Sequence, residues 1–146
     1  LSPGEREDAA VREHKTVFLM GIGAPLRSGK PHDTRAPDYD DWSLNGDILL
    51  WDAVLERTCE ISSMGIRVDG EALRRQLEAA GCPERAQLPF HRMLLDGELP
   101  LTMGGGIGQS RLCKLMTGCC HIGEVQASLW DKETLRTCRE AGVPLL

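Results

Sequence analysis

An α+β fold with a mainly antiparallel sheet flanked by helices is predicted by three observations. Strand-like segments cluster early and helical ones follow, an order that fits a mixed sheet better than a regular strand-helix alternation. The few residues between Trp51 and Arg57 favour a hairpin over a helical crossover. The length of 146 residues, with 41% hydrophobic and 27% charged residues, is that of one ordinary domain able to bury a core. No run approaches the roughly 18 apolar residues of a membrane span, and the composition argues against disorder. The expected location is the cytoplasm. No basic segment followed by an apolar one opens the sequence, which starts Leu1-Ser2-Pro3 without an initiator Met and so leaves a preceding segment open.

Taken in order, the charged start Ser2 to Lys15 gives way to Thr16-Val17-Phe18-Leu19-Met20-Gly21-Ile22, read as a largely buried strand ending near Gly23-Ala24-Pro25. Leu26 to Ser43, with Pro31, Pro37, Gly29 and several aspartates, has no helical or alternating period and reads as a long loop of the kind that serves a site. Strands follow at Gly46 to Trp51 and Arg57 to Val68. Asp69 is placed to cap a helix whose inner face carries Leu73, Leu77 and Ala80 and which Gly81 and Pro83 close. A further helix is expected over Arg85 to Leu95, with Pro89 in its first turn or limiting it, and Gly97 as its stop. Gly104-Gly105-Gly106-Ile107-Gly108 reads as a turn before a helix from Ser110 to Gly118, packed through Leu112, Leu115 and Met116. Ile122 to Trp130 reads as a strand and Asp131 to Glu140 as a capped helix ended by Gly142-Val143-Pro144.

The charge balance of −5 and the lack of a long basic stretch disfavour binding to nucleic acid. Six cysteines show neither CxxC pairs nor a disulfide framework, so most are expected to be buried free thiols. The run Cys119-Cys120-His121 invites a zinc reading, but neighbours on a strand point to opposite faces and tetrahedral zinc needs converging ligands.

Three constellations carry possible chemistry. The segment Gly104 to Arg111 matches neither a phosphate-loop nor a dinucleotide fingerprint, yet it joins bare backbone to a guanidinium that can stack on a flat ring and bond to phosphate. A tight turn with a surface arginine is the plainer alternative. Asp47 and Glu60, on strands that a hairpin pairs, are suited to Mg²⁺ among phosphates; a single acidic residue near a strand end is more often merely solvated. Arg35, Asp38, Asp40 and Asp41 beside Tyr39 and Trp42, with Ser62, Ser63 and Arg67 on the second strand, offer carboxylates for an ammonium and cations for a carboxylate. A solvated acidic loop explains the first group equally well. His32 and His121 have no placed nucleophile, so no hydrolase triad is supported.

Ala36-Pro37-Asp38-Tyr39-Asp40-Asp41-Trp42, Leu44 to Leu49, Ile61 to Val68 and Gly104 to Arg111, extended by His121-Ile122-Gly123 and Val125-Gln126-Ala127, closely resemble the C-terminal part of the ammonia-dependent asparagine synthetases, or aspartate-ammonia ligases. The resemblance covers essentially all of residues 1–146 and implies the C-terminal portion of a single catalytic domain like that of the class II aminoacyl-tRNA synthetases. It implies a cytoplasmic homodimer that converts L-aspartate, ammonia and ATP to asparagine, AMP and pyrophosphate, with Mg²⁺ as cofactor. By position, Arg111 resembles the arginine of class II motif 3, over adenine and phosphate, with Gly105 and Gly106 as the bare wall beside the ring. Asp47 and Glu60 resemble the acidic pair for ATP and Mg²⁺. Asp40 and Ser62 match positions for the amino acid, and Arg67 one for a carboxylate or phosphate. Motifs 1 and 2 would lie in an N-terminal half outside these residues, so the segment alone is expected to be inactive. Trp42-Ser43-Leu44-Asn45 is shorter than the family pattern, which implies a mobile loop between Ser43 and Leu44 that is not represented. The alternatives are a class II tRNA ligase for aspartate or asparagine, a noncatalytic amino-acid or nucleotide sensor on the same fold, and a structural fragment that forms dimers.

Overall fold

A computed structural model describes all 146 residues and contains four strands and five α-helices. The strands are β1 (Thr16–Met20), β2 (Asp40–Asp52), β3 (Arg57–Arg67) and β4 (Met103–Ile107), joined in the order β1-β2-β3-β4. Backbone bonds from Trp51 to Lys15 and from Gly21 to Asn45 make β1 and β2 antiparallel. Bonds from Arg67 to Thr102 and from Gly108 to Ile61 do the same for β3 and β4. A four-residue turn joins β2 to β3, where Asp52 accepts the amides of Val54 and Leu55. The expected α+β class with an antiparallel sheet is therefore observed, although helices outnumber strands. No helix is long and apolar enough to cross a membrane.

By compactness the chain divides in two, and β2 and β3 each run through both parts. The first unit comprises residues 1–17, 49–62 and 107–146. It opens with α1 (Pro3–His14), whose start is fixed by a capping box between Ser2 and Glu5 and by Pro3 in the first turn. Val11 is fully buried, and Asp8 accepts the amide of Thr58 at 2.6 Å, which holds its carboxyl below the usual range and ties the helix to β3. The unit also holds α4 (Gln109–Thr117) and α5 (Lys132–Glu140); Asp131 caps the latter through the amides of Glu133 and Thr134, as expected.

Two expectations fail in this unit. Ile122 to Trp130 is not a strand: His121 and Glu124 form a capping box around a single 3₁₀ turn, Ile122–Glu124, and the chain then runs irregularly with Leu129 fully exposed. The inner residue of α4 is Lys114, whereas Met116 lies outward. The cysteines also differ from expectation, since all six are free but Cys138 alone is buried and Cys113 is exposed.

The second unit comprises residues 18–48 and 63–106. Its core is Val68, Ala72, Leu73, Leu77 and Leu94, with Cys82, Ala86, Leu95 and Leu99 packed against it. The helix α2 (Gly70–Ala79) begins at the predicted cap, where Asp69 accepts the amide of Ala72, and buries Leu73 and Leu77 as predicted. Ala80 lies exposed beyond the last turn; Ala72 and Gln76 fill the inner face instead. Of the two alternatives for residues 85–95 the structure takes the shorter helix, α3 (Pro89–Leu95), with Pro89 at its first position, and a 3₁₀ turn, Pro83–Gln87, precedes it. β1 is not largely buried: its side chains alternate, with Phe18 and Met20 exposed and Val17 and Leu19 half-buried. Residues 40–43, expected in the loop, already belong to β2. The glycine run expected as a turn is strand β4, since a backbone without side chains still completes the ladder to β3.

Candidate functional site

In the second unit the end of β3 meets the start of β2. The Arg67 guanidinium donates to Asp40, which is 9% exposed, and lies 4.1 Å from the centre of the Tyr39 ring. Stacking and a charge-assisted bond fix both ends of the planar group. Two glycines, opposite each other in the β3–β4 register, make this possible. A methyl group on Gly65 would stand 2.7 Å from Cγ of Asp40, and one on Gly104 would stand 2.5 Å from Nη2 of Arg67. Any larger residue at either position would displace the pair.

The strand that carries Asp40 is held from behind by Gln76, which is 1% exposed. Its amide accepts from the Trp42 N–H at 2.8 Å and donates to the carbonyls of Pro37 and Asp40, both at 3.0 Å. A side-chain amide bracketing Asp40 on both sides in sequence fixes where its carboxylate emerges. Asp38 meets His91 at 3.0 Å, and Asp41 accepts the amide and hydroxyl of Ser43 with Arg75 at 3.4 Å. Burial raises the Asp41 carboxyl, but the Ser43 bonds and the Arg75 charge outweigh it and hold the group below the usual carboxylate range. Farther along β2, Arg35 donates to Asp47, which is buried, while Nε of Arg35 is also buried and has no partner. That unpaired donor is costly unless something completes it.

Gly105 and Gly106 differ in what they require. A methyl on Gly105 would meet Cβ of Met64 at 2.7 Å, so its bareness is demanded by packing. Around Gly106 no atom lies within 4 Å of a built Cβ.

In the first unit, Arg111 stands in the first turn of α4 and donates to the Glu60 carbonyl at 2.9 Å and to its carboxylate at 3.3 Å. Both side chains keep about half of their surface in solvent, so this pair contributes little to stability. One turn later Lys114, 8% exposed, donates to Asp52, 2% exposed, at 2.5 Å. Burial raises the Asp52 carboxyl, but the Lys114 bond and charge, with the amides of Leu55 and Val54, prevail and lower it. These residues line a cleft of about 400 Å³, with Arg57 and Thr58 on its wall. Its size suits a small ligand, and its wall carries three cations, Arg57, Arg111 and Lys114, balanced by three carboxylates, Glu7, Asp52 and Glu60.

The structure gives three of the predicted carboxylates an arginine at close range: Asp40 with Arg67, Asp47 with Arg35, and Glu60 with Arg111. Asp47 and Glu60 lie on neighbouring strands but in different units. Ser62 is buried and Ser63 half-buried on β3. No group of three or more His, Cys, Asp or Glu side chains is arranged to hold a metal by itself. Gln76, Asp52 and Lys114 were not among the residues expected from sequence. Gln76 had a signal, being a polar residue between Leu73 and Leu77 on the inner face of an amphipathic helix.

The sequence profile of the aspartate-ammonia ligase family matches residues 1–142. Among curated relatives, a protein of Lactobacillus johnsonii named aspartate–ammonia ligase is 61% identical over 147 aligned residues, covering 100% of this chain and 44% of the relative. Proteins of the same name from Lactobacillus acidophilus and Clostridium tetani are 59% and 58% identical, with 44% and 43% of their lengths covered and 100% of this chain. The chain thus spans less than half the length of the curated relatives it matches.

Proposed function

Given that the chain belongs to the aspartate-ammonia ligase family, we propose that the protein carrying it joins L-aspartate to ammonia, driven by ATP, and releases L-asparagine, AMP and pyrophosphate. The single observation that carries this reading is the family match over residues 1–142. The arginine-carboxylate pairs described above add to it, because they provide charged groups suited to both substrates.

The reaction has two displacements. An oxygen of the aspartate side-chain carboxylate attacks the α-phosphorus, the bond to the bridging oxygen breaks, and pyrophosphate leaves with its electron pair, giving β-aspartyl-AMP. Ammonia nitrogen then attacks the acyl carbon, AMP departs, and the surplus proton is given up. Both steps depend mainly on alignment and charge compensation. Arg111 lies over adenine and reaches the phosphates; Gly106 offers bare backbone to a flat ring, whereas the bareness of Gly105 serves its packing on Met64. Arg67 binds a substrate carboxylate, Asp40 and Ser62 bind the amino acid with Ser63, and Arg35 adds a further cation for a carboxylate. Asp40 also attracts ammonium and accepts its proton, which is required because only neutral ammonia is a nucleophile.

Mg²⁺ would be held by one or two carboxylates together with phosphate oxygens, and Asp47 and Glu60 are each candidates for that role, with Arg35 on Oδ2 of Asp47 and Arg111 on Oε1 of Glu60. When bound, the ion neutralises phosphate charge. The reading extends to a class II synthetase-like catalytic domain, a cytoplasmic homodimer, and an inactive isolated segment.

Product analysis tests it. The full-length protein supplied with L-aspartate, ammonium and Mg-ATP is expected to give asparagine, AMP and pyrophosphate in equal amounts. Formation of ADP in place of AMP, or no asparagine, overturns it.

A further inference from the structure

We propose that the buried Lys114–Asp52 pair positions Arg111 for ATP, by anchoring helix α4 to the turn that joins β2 and β3. This inference rests on the reading that Arg111 contacts ATP. Lys114 is the one buried residue of α4, an unusual choice for the inner position of a nine-residue helix. Taking an ammonium and a carboxylate out of water is costly, and an apolar pair of similar volume would serve stability as well or better. The pair is therefore better explained by direction than by strength.

The geometry supports this. Asp52 uses one oxygen to accept the Val54 and Leu55 amides of the turn and the other to accept from Lys114 at 2.5 Å, so the turn and the helix share one rigid carboxylate. The start of α4 is fixed separately, where Gly108 donates to the Ile61 carbonyl at 2.8 Å. Arg111 lies between these two anchors and, three residues before Lys114, on the same side of the helix. Its own bonds to Glu60 are half in solvent and do not hold the helix by themselves. Asp52 stays ionised at neutral pH, as the anchor needs, because the Lys114 bond and charge with the turn amides outweigh its burial.

The test replaces the pair as a unit in the full-length protein, Asp52→Asn with Lys114→Met, so that no uncompensated charge is left in the interior and the asparagine still accepts the turn amides. Calorimetry with Mg-ATP and steady-state kinetics are run in the wild-type and Arg111→Ala backgrounds. Misplacing a catalytic group by about 1 Å costs on the order of 100-fold, so ATP affinity and kcat/KM for ATP are expected to fall about 10- to 100-fold while KM for aspartate stays within about threefold. With Arg111→Ala already present, the same replacement is expected to change ATP affinity by less than about twofold, because the two changes act through one group. Equal losses in both backgrounds, equal losses for both substrates, or unchanged ATP affinity would overturn the positioning role, and a wild-type protein that still makes asparagine would leave the functional reading standing. A wild-type protein that binds Mg-ATP but makes no asparagine would refute that reading, while the calorimetric comparison decides the positioning role. If the wild type binds no ATP, both fail.

Discussion

Replacing Gly65 by alanine tests whether the Asp40–Arg67 pair belongs to the aspartate pocket. The added methyl would stand 2.7 Å from Cγ, 2.8 Å from Oδ1 and 3.0 Å from Cβ of Asp40. Ordinary contact begins near 3.5 Å, so the carboxylate must move by about 0.8 Å. It cannot swing away freely, because Arg67 holds it and Gln76 fixes the backbone at Asp40 and Trp42. Two opposing terms set the stability change. Alanine in place of a strand glycine gains about 0.5–1 kcal/mol from the unfolded chain, whereas overpacking costs about 1–3 kcal/mol. Sterics win, and the net loss is expected at about 0–2.5 kcal/mol, compatible with a folded protein. A displacement near 1 Å costs far more in catalysis, so kcat/KM for aspartate in the full-length protein is expected to fall about 10- to 100-fold, with KM for ATP within about threefold. Gly104→Ala, which presses on Arg67 instead, is expected to give the same pattern. The assay is steady-state kinetics with each substrate varied in turn, alongside thermal unfolding. A folded Gly65→Ala protein with wild-type aspartate kinetics would remove Asp40 and Arg67 from the pocket.

Arg111→Ala removes a half-exposed pair, so thermal stability should change little, but the loss of a charge-assisted bond worth roughly 1.5–3 kcal/mol is expected to lower kcat/KM for ATP about 10- to 200-fold. Arg111→Lys should recover little, since an ammonium lacks the planar stacking surface; wild-type ATP kinetics in the alanine variant would assign Arg111 to the solvated surface. Gly106→Ala meets open space and is expected to keep or slightly raise stability, by about 0.5–1 kcal/mol, while weakening ATP binding; unchanged ATP affinity would show that no ring lies against it. Asp52 has its folded pKa lowered, so its contribution to stability is complete above the unfolded value of about 3.9 and is lost as pH falls through the folded value. Urea midpoints should therefore hold steady down to about pH 4 and then drop, with a shallower drop in Asp52→Asn; identical acid profiles would contradict the assignment.

Local chemistry made part of this fold legible. Asp69 with Leu73 and Leu77, and Asp131 ahead of α5, combine a cap with an inner face, and both helices form where those signals stand. The first helix carried a signal too, Ser2 with Glu5, but its long charged surface and one buried residue, Val11, left no apolar period to read. What was not legible depended on partners distant in sequence. Lys114 turns inward because Asp52 receives it from 62 positions away, which no pattern within α4 discloses. Gly104 and Gly105 join a strand because β3 lies beside them, although glycines alone suggest a turn. The stretch from Ile122 has strand-forming residues but no strand to pair with, and the His121–Glu124 cap closes a turn instead. At the candidate site the residue types were legible from the sequence, while their pairing was not. Arg35 meets Asp47 and Arg111 meets Glu60, contacts that no local pattern discloses.

In the proposed reaction the aspartate side-chain carboxylate attacks the α-phosphorus of ATP. The most direct measurement uses L-aspartate labelled with ¹⁸O in that carboxylate, the full-length protein, ammonium and Mg-ATP, with mass analysis of all phosphorus-containing products. One labelled oxygen should pass to the phosphate of AMP in each turnover, because the bond formed in the first step keeps that oxygen on phosphorus when ammonia expels AMP. Label in inorganic phosphate, or asparagine formed with unlabelled AMP, would exclude that attack.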